Sequence, residues 1–218
     1  MPWIRNIHKW ASVIVGIQFL LWLSSGIYFN VMDHDKAAGR THRAYLQTDV
    51  KIDTQKLVDP ATVLIQFRPS VMLTLTTLLS KPVYLLTHKK GLYKNFENHY
   101  TLVNVYNGRQ IKIDKNMANA LAKQSYSGPG VIRSSNLFAA PVSDFPRQQN
   151  ATWKIDFDDD VDTSVYVEAG SGRIVGHSDD DKRLADIFFM LHFMDYGNEG
   201  SFNSVQMILF AFVSLWLS

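Results

Sequence analysis

Two histidines stand beside long uncharged runs, where an imidazole is an interfacial anchor, a packed polar group or a ligand. His8 comes two residues before "WASVIVGIQFLLWLSSGIYFNVM", residues 10 to 32, and His192 lies in "DIFFMLHFMDYGNEGSFN", ahead of an uncharged run over residues 201 to 218. If a helix begins near Pro2, its 3.6-residue period puts His8, Ser12, Gly16, Phe19, Leu23, Gly26 and Asn30 on one polar, small-residue face. Ser12 and Gly16 have the spacing at which membrane helices approach closely. Two readings of His8 stay open on these residues. It is an interfacial histidine beside Lys9, or it is an axial ligand to a b-type haem, with glycine leaving room for the porphyrin edge.

His192 falls on a second expected helix, which Asp179 to Asp181 start and Gly197 stops. Leu184, Ile187, Phe188, Leu191 and Met194 make its apolar stripe, with Ala185, Phe189 and His192 beside it, so the imidazole borders the buried or lipid-facing side. A packed histidine with one satisfied nitrogen and a ligand both fit that position. His34 and His42, in "DHDKAAGRTHR", read as part of a solvated linker, with contact to a second haem or an incoming ferric ligand as the alternative. His88, His99 and His177 fall near strand ends and receive no role.

The acidic run "DFDDDVD" alternates Asp158, Asp160 and Asp162 as a calcium loop would, but Thr163 stands where that loop needs glycine and Ala169 where it needs a bidentate glutamate. It reads as a solvated hairpin tip whose carboxylates offer at most a weak attraction to Fe³⁺. Asn150-Ala-Thr152 matches a glycosylation sequon, a short pattern common by chance. The chain has no cysteine nucleophile, no phosphate-binding glycine loop and no HExxH zinc motif. A net charge of +2 without a basic stripe gives no support to nucleic-acid binding.

The elements that hold these residues follow from local composition. Residues 10 to 32 are 23 uncharged positions in a row, enough helix to cross a bilayer core of roughly 30 Å and longer than the apolar core of a signal peptide. Trp3, Trp10 and Tyr28 lie near its ends, where amphipathic rings favour the interface. Residues 201 to 218 are a marginal span, expected to open a second membrane helix in a chain that continues past Ser218. Basic residues flank the first span on both sides, so they do not orient it, whereas a long intervening segment translocates largely regardless of charge. The lack of cysteine is compatible with an oxidising compartment without requiring one. The middle region is therefore expected outside the cytoplasm.

That middle region repeats a plan of helix, strands and glycine turn. Asp59 and Pro60 open a first helix, followed by strands in "SVMLTLTTLL", "PVYLLTH" and "HYTLVNVY" up to the Asn107-Gly108 turn. Asp114 opens a second helix with a weak apolar face of Met117, Ala120, Leu121 and Ala122, stopped by "SGPG". Strands follow in "VIRSSNLFA", "TWKIDF", "SVYVEA" and "RIVGH", with Gly170 and Gly172 bracketing the last turn.

The segments "VYNGRQI" and "VYVEAGSGRIVG" resemble the closing strand, turn and strand of PepSY modules. "IRNIHKWASVIVGIQFLLWLSSGIYF" resembles the first membrane helix of PepSY-associated transmembrane proteins, and "ADIFFMLHFMDYGNEGSFNSVQMILFAFVSLWLS" their Leu-His element leading into the next helix. Asn107 and Ala169 depart from the Asp or Thr common in those turns, and the later membrane helices are missing. The resemblance implies an α+β protein with two tandem PepSY-like modules between transmembrane α-helices. Its parts are a cytoplasmic N-terminus (1–9), a first membrane helix (10–32), a linker and first strand region (33–57), module 1 (58–113), module 2 (114–181), an interfacial helix (182–197) and the start of a second membrane helix (201–218).

It further implies a multi-pass protein of the bacterial inner membrane with its central domain in the periplasm. In such a protein haem b carries electrons outward to reduce ferric iron, as in a siderophore or other ferric chelate. His8 and His192 would bind two haems, one at each interface, because a full span separates them. The second axial ligands would come from helices outside this chain, and the electrons from a cytoplasmic flavin/NAD(P)H donor or a fused reductase module. The reading from a different class is a non-catalytic PepSY interaction module that binds or inhibits a peptidase or envelope protein through exposed strand edges.

Overall fold

The computed structural model describes residues 2–45, 50–90, 96–197 and 204–217, and the chain divides into two compact units. One comprises Met1–Ala38 with Asp181–Ser218 and is helical; the other, Gly39–Asp180, is α+β.

In the helical unit α1 runs over Pro2–Val31, starting earlier than the uncharged run because proline suits a first helical turn. It is the one helix among the described residues long and apolar enough to cross a membrane. A short helix α2, His34–Ala37, follows, capped by the Asp33 carboxylate, which accepts from the amides of Asp35 and Lys36. The 33–57 region holds no strand among its described residues. Asp33 and Asp53 each turn the chain by accepting backbone N–H groups, into α2 and into a 3-10 turn at Thr54–Lys56.

The later helices of this unit, α5 (Asp180–Phe193) and α6 (Val205–Leu217), are joined by a connection whose residues 198–203 lie outside the described residues. α5 stops at Met194 and not at Gly197. Met194 takes a left-handed φ of +52°, and the Asp195 amide donates to Met190 O at 3.0 Å, a Schellman closure made without glycine. Ser204 caps α6: its hydroxyl donates to Met194 O at 2.9 Å and accepts from the Met207 amide at 3.2 Å. Through 13 residues α6 extends roughly 20 Å, short of a full crossing.

The second unit runs helix then four strands, twice. α3 (Pro60–Gln66) precedes β1 (Met72–Leu78), β2 (Lys81–Lys89), β3 (His99–Asn104) and β4 (Gln110–Ile111). α4 (Lys115–Ser125) precedes β5 (Val131–Phe138), β6 (Thr152–Asp158), β7 (Ser164–Glu168) and β8 (Ile174–Ser178). Each set forms an antiparallel sheet in sequential order. The expected caps form: Asp59 accepts from the Ala61 amide at 3.2 Å, with Pro60 in the first turn, and Asp114 accepts from the Met117 amide at 2.8 Å. Asp114→Ala should lower stability by about 1 kcal/mol, read as a shift of the urea midpoint with the slope unchanged.

Alternation along the strands buries both faces of the first sheet. Tyr84, Leu86, Val103 and Val105 pack with Val63 of α3, while Leu78, Val83 and Leu102 join Ala118, Leu121 and Ala122 of α4 and Ile155, Phe157, Val165 and Val167 of the second sheet. The second of these clusters serves both repeats, and the first belongs to the first repeat alone. At Gly172, where φ is +71°, a Cβ would lie 2.6 Å from Leu78 Cδ1, so the last turn of the second repeat sits directly on the first. The buried face of α4 is Ala118, Leu121, Ala122 and Ser125, rotated from the expected one to follow this two-sided burial.

Candidate functional site

His192 lies in the packed face of α5, not at its border. Ala185 of the same helix is buried, Phe188 stacks on Tyr28 of α1 at 3.9 Å, and Phe189 meets Phe29 at 4.6 Å, while Leu184 and Ile187 of the expected stripe are exposed. α1 is apolar nearly all round, so its few polar side chains mark the face that meets α5. Gln18 Nε2 donates to Leu191 O at 3.1 Å, Trp22 Nε1 donates to His192 O at 2.7 Å, and Tyr196 donates its hydroxyl to Gln18 Oε1 at 2.9 Å. In an apolar surround each such bond also removes an otherwise unsatisfied polar group.

The imidazole itself is held by Ser25. Ser25 is fully buried and its hydroxyl donates back to Leu21 O at 2.7 Å, which commits its only proton. Its oxygen lies 2.8 Å from His192 Nδ1, so Nδ1 carries the proton and donates it to Ser25. Nε2 is then the nitrogen with the free lone pair, and it has no hydrogen-bond partner among the described residues. Phe29 and Phe193 present their rings to the imidazole at 5.2 and 5.1 Å between centroids, tilted 70° and 75°. A fixed tautomer, a hydroxyl accepting from one nitrogen and an open lone pair on the other are what a ligating histidine requires.

His8 has none of this scaffolding. It is exposed, and its ring lies 6.0 Å from that of Trp216 of α6. Seventeen residues of α1 separate it from Ser25, roughly 25 Å at the helical rise, so His8 and His192 do not converge on one site. The expected small-residue stripe is not the packing face: a Cβ on Gly16 or on Gly26 would meet nothing within 4 Å. Packing goes through Gln18, Trp22, Ser25 and Phe29 instead. Gln18 and Ser25, two polar residues seven apart in a membrane-length run, are the signal that marks this face.

The other histidines have structural settings. His34 is exposed in α2. His42 is not free in a linker: its ring packs edge-on against Tyr126 at 5.8 Å and its Nε2 lies 2.8 Å from Asp160 Oδ1. His88 of β2 links the segment before β1 to β3 through Ser70, the Pro69 carbonyl and Thr101. His99 pairs with Glu97 at the surface. His177 is 3 % exposed beside Ser125, and burial with the nearby Arg43 charge pushes its pKa down to about 4.

The sequon is closed to modification. Asn150 is buried, its amide donates to Phe96 O at 2.9 Å and to Glu168 Oε1 at 3.0 Å, and its carbonyl accepts from the Asn98 amide. The acidic run forms the expected tip between β6 and β7, with Asp159 turned inward to accept from Tyr126, Val161 and Thr163. Searches against protein-family models, curated proteins and solved structures return no match to this chain.

Proposed function

We propose that the chain is the membrane-anchored part of a PepSY-type haem-b electron-transfer system that reduces ferric iron, free or chelated, on the periplasmic face of a bacterial inner membrane. The observation that carries this reading is the Ser25–His192 pair: on membrane-length α1 and its partner α5, a serine fixes the imidazole proton on Nδ1 and leaves Nε2 open. His192 would hold the iron of one haem, Ser25 would keep the ring in register, and Phe29 and Phe193 would limit water around it. When bound, haem supplies a centre that gains and loses one electron. Ferric chelates loosen on that gain because ligands suited to hard Fe³⁺ hold Fe²⁺ less tightly. His8 is the candidate for a second haem at the opposite end of α1, with electrons from a cytoplasmic flavin or NAD(P)H donor.

Visible spectra of full-length protein in detergent, oxidised and dithionite-reduced, test this reading. The native protein should show reduced b-type bands. His192→Ala should remove one haem equivalent, and Ser25→Ala should weaken haem retention by about tenfold through the lost orienting bond. Protein without haem after haem-replete expression would overturn the proposal.

A second reading rests on β1. It is an edge of the first sheet, and Val71, Met72 and Leu75 are exposed along it. An unpaired edge with apolar side chains suits strand addition by an envelope protein. A haem-free protein that captures an extended peptide, with capture lost on Leu75→Lys, would favour this account.

A further inference from the structure

We propose that His42, Asp159 and Asp160 form a binding site for a divalent first-row transition-metal cation. One atom from each of these side chains lies within 4.8 Å of the other two. The three come from separate stretches: His42 from the strap that follows α2, the aspartates from the β6–β7 tip. Ligand atoms on one such ion lie roughly 3.4 Å apart when bonds are about 2.1 Å, so closure needs only a side-chain rotation, and Asp160 is 72 % exposed and free to make it.

The supports of the site are built. Asp159 is oriented by the Tyr126 hydroxyl at 2.7 Å and by the amides of Thr163 at 2.9 Å and Val161 at 3.3 Å, as a metal-ligating carboxylate is held by its outer shell. Tyr126 stacks on Phe157 at 3.9 Å and gives His42 a rigid wall. Gly128 makes room for the imidazole: a Cβ there would sit 2.7 Å from His42 Cγ. Among the described residues neither Asp159 nor Asp160 pairs with lysine or arginine.

Thr163 is 1 % exposed and its buried hydroxyl faces Asp159, a further polar group that holds this carboxylate in place.

The donor set chooses the ion. One imidazole nitrogen with two carboxylate oxygens favours Zn²⁺, Mn²⁺, Co²⁺ or Ni²⁺ over Ca²⁺ and Mg²⁺, which take oxygen alone. A bound cation would clip the strap to the β6–β7 tip, adding to the backbone bonds from Ala44 N to Ser125 O and from Ser127 N to His42 O. This proposal does not depend on haem.

The test is calorimetric titration of Zn²⁺ into the chelator-stripped full chain in detergent, with visible spectra of Co²⁺ as a second readout. The expected result is one equivalent bound, weakened at least tenfold in His42→Ala and in Asp160→Asn, unchanged in His8→Ala and His192→Ala, with Co²⁺ bands absent from His42→Ala. Asp160→Asn, at an exposed position where the amide oxygen can still accept from His42, should keep the native urea midpoint in the absence of metal. Zn²⁺ binding that survives both substitutions, binding that Ca²⁺ displaces at equal concentration, or no binding at all would overturn the proposal.

Discussion

Glu168→Ala should destabilise the globular unit by about 4 kcal/mol, the range for breaking a buried charge network by removing one partner. Glu168 is 1 % exposed, and its Oε1 accepts from Gln148 Nε2 at 3.1 Å, Asn150 Nδ2 at 3.0 Å and Arg173 at 3.3 Å, while Ser171 donates to the other oxygen. Truncation leaves one N–H of each of the buried Gln148 and Asn150 amides without its acceptor, each costing about 1 to 3 kcal/mol, and takes an anion from Arg173. Asn150 also holds the Asn98 amide and Phe96 O, so the loss spreads into the segment before β3. Urea unfolding of the full chain in detergent measures it. A change below 1 kcal/mol would mean that the network is compensated elsewhere.

Acid should remove nearly as much. The Ser125 hydroxyl donates to Ala122 O at 3.0 Å, so it can only accept from His177 Nε2, 3.1 Å away; His177 Nδ1 is buried without a partner among the described residues. A second proton would place an unpaired charge in the core near Arg43, which is why the folded pKa falls from 6.5 to about 4. The unfolded chain takes that proton first. Stability is thus fully present above pH 6.5 and is lost, by about 3 kcal/mol in all, as pH falls from 6.5 to 4. Carboxylates with lowered pKa values, Asp156 and Asp159 among them, add their loss only below the ordinary carboxylate range. His177→Gln should flatten the slope between pH 6.5 and 4 and leave the steeper acid limb. An unchanged slope in that variant would assign the loss to other groups.

Much of the scaffold was legible because its signals are local. Asp59-Pro60 and Asp114 are caps whose chemistry acts within three residues, the short apolar run in "PVYLLTH" reads as a strand buried on both faces, and alternation in "TWKIDF" fixes a strand by a period of two. The β1–β2 turn gave no such sign: Leu79 and Ser80 take φ of +49° and +59° without glycine or asparagine, with Leu79 packed against the core. Nothing in "SVYVEA" signals that Glu168 is buried, because its burial comes from a long-range bond set that includes Gln148. His192 could be placed on a helix from sequence, but its partner Ser25 lies 167 residues away and was hidden by the more familiar Gly16 and Gly26. The His42–Asp160 meeting spans 118 residues and is equally a product of folding.

The core that joins Val83 and Leu102 to Ile155 and Val165 has a further consequence. Beyond the cluster of Val63, Tyr84, Leu86, Val103 and Val105 that the first half keeps to itself, both halves close on this shared interior, so the pair behaves as an obligate dimer whose subunits share one chain. Cleaving between Ile113 and Asp114 should not release two small domains. It should yield fragments that stay insoluble alone and regain structure when mixed, with the tether acting only as a high local concentration.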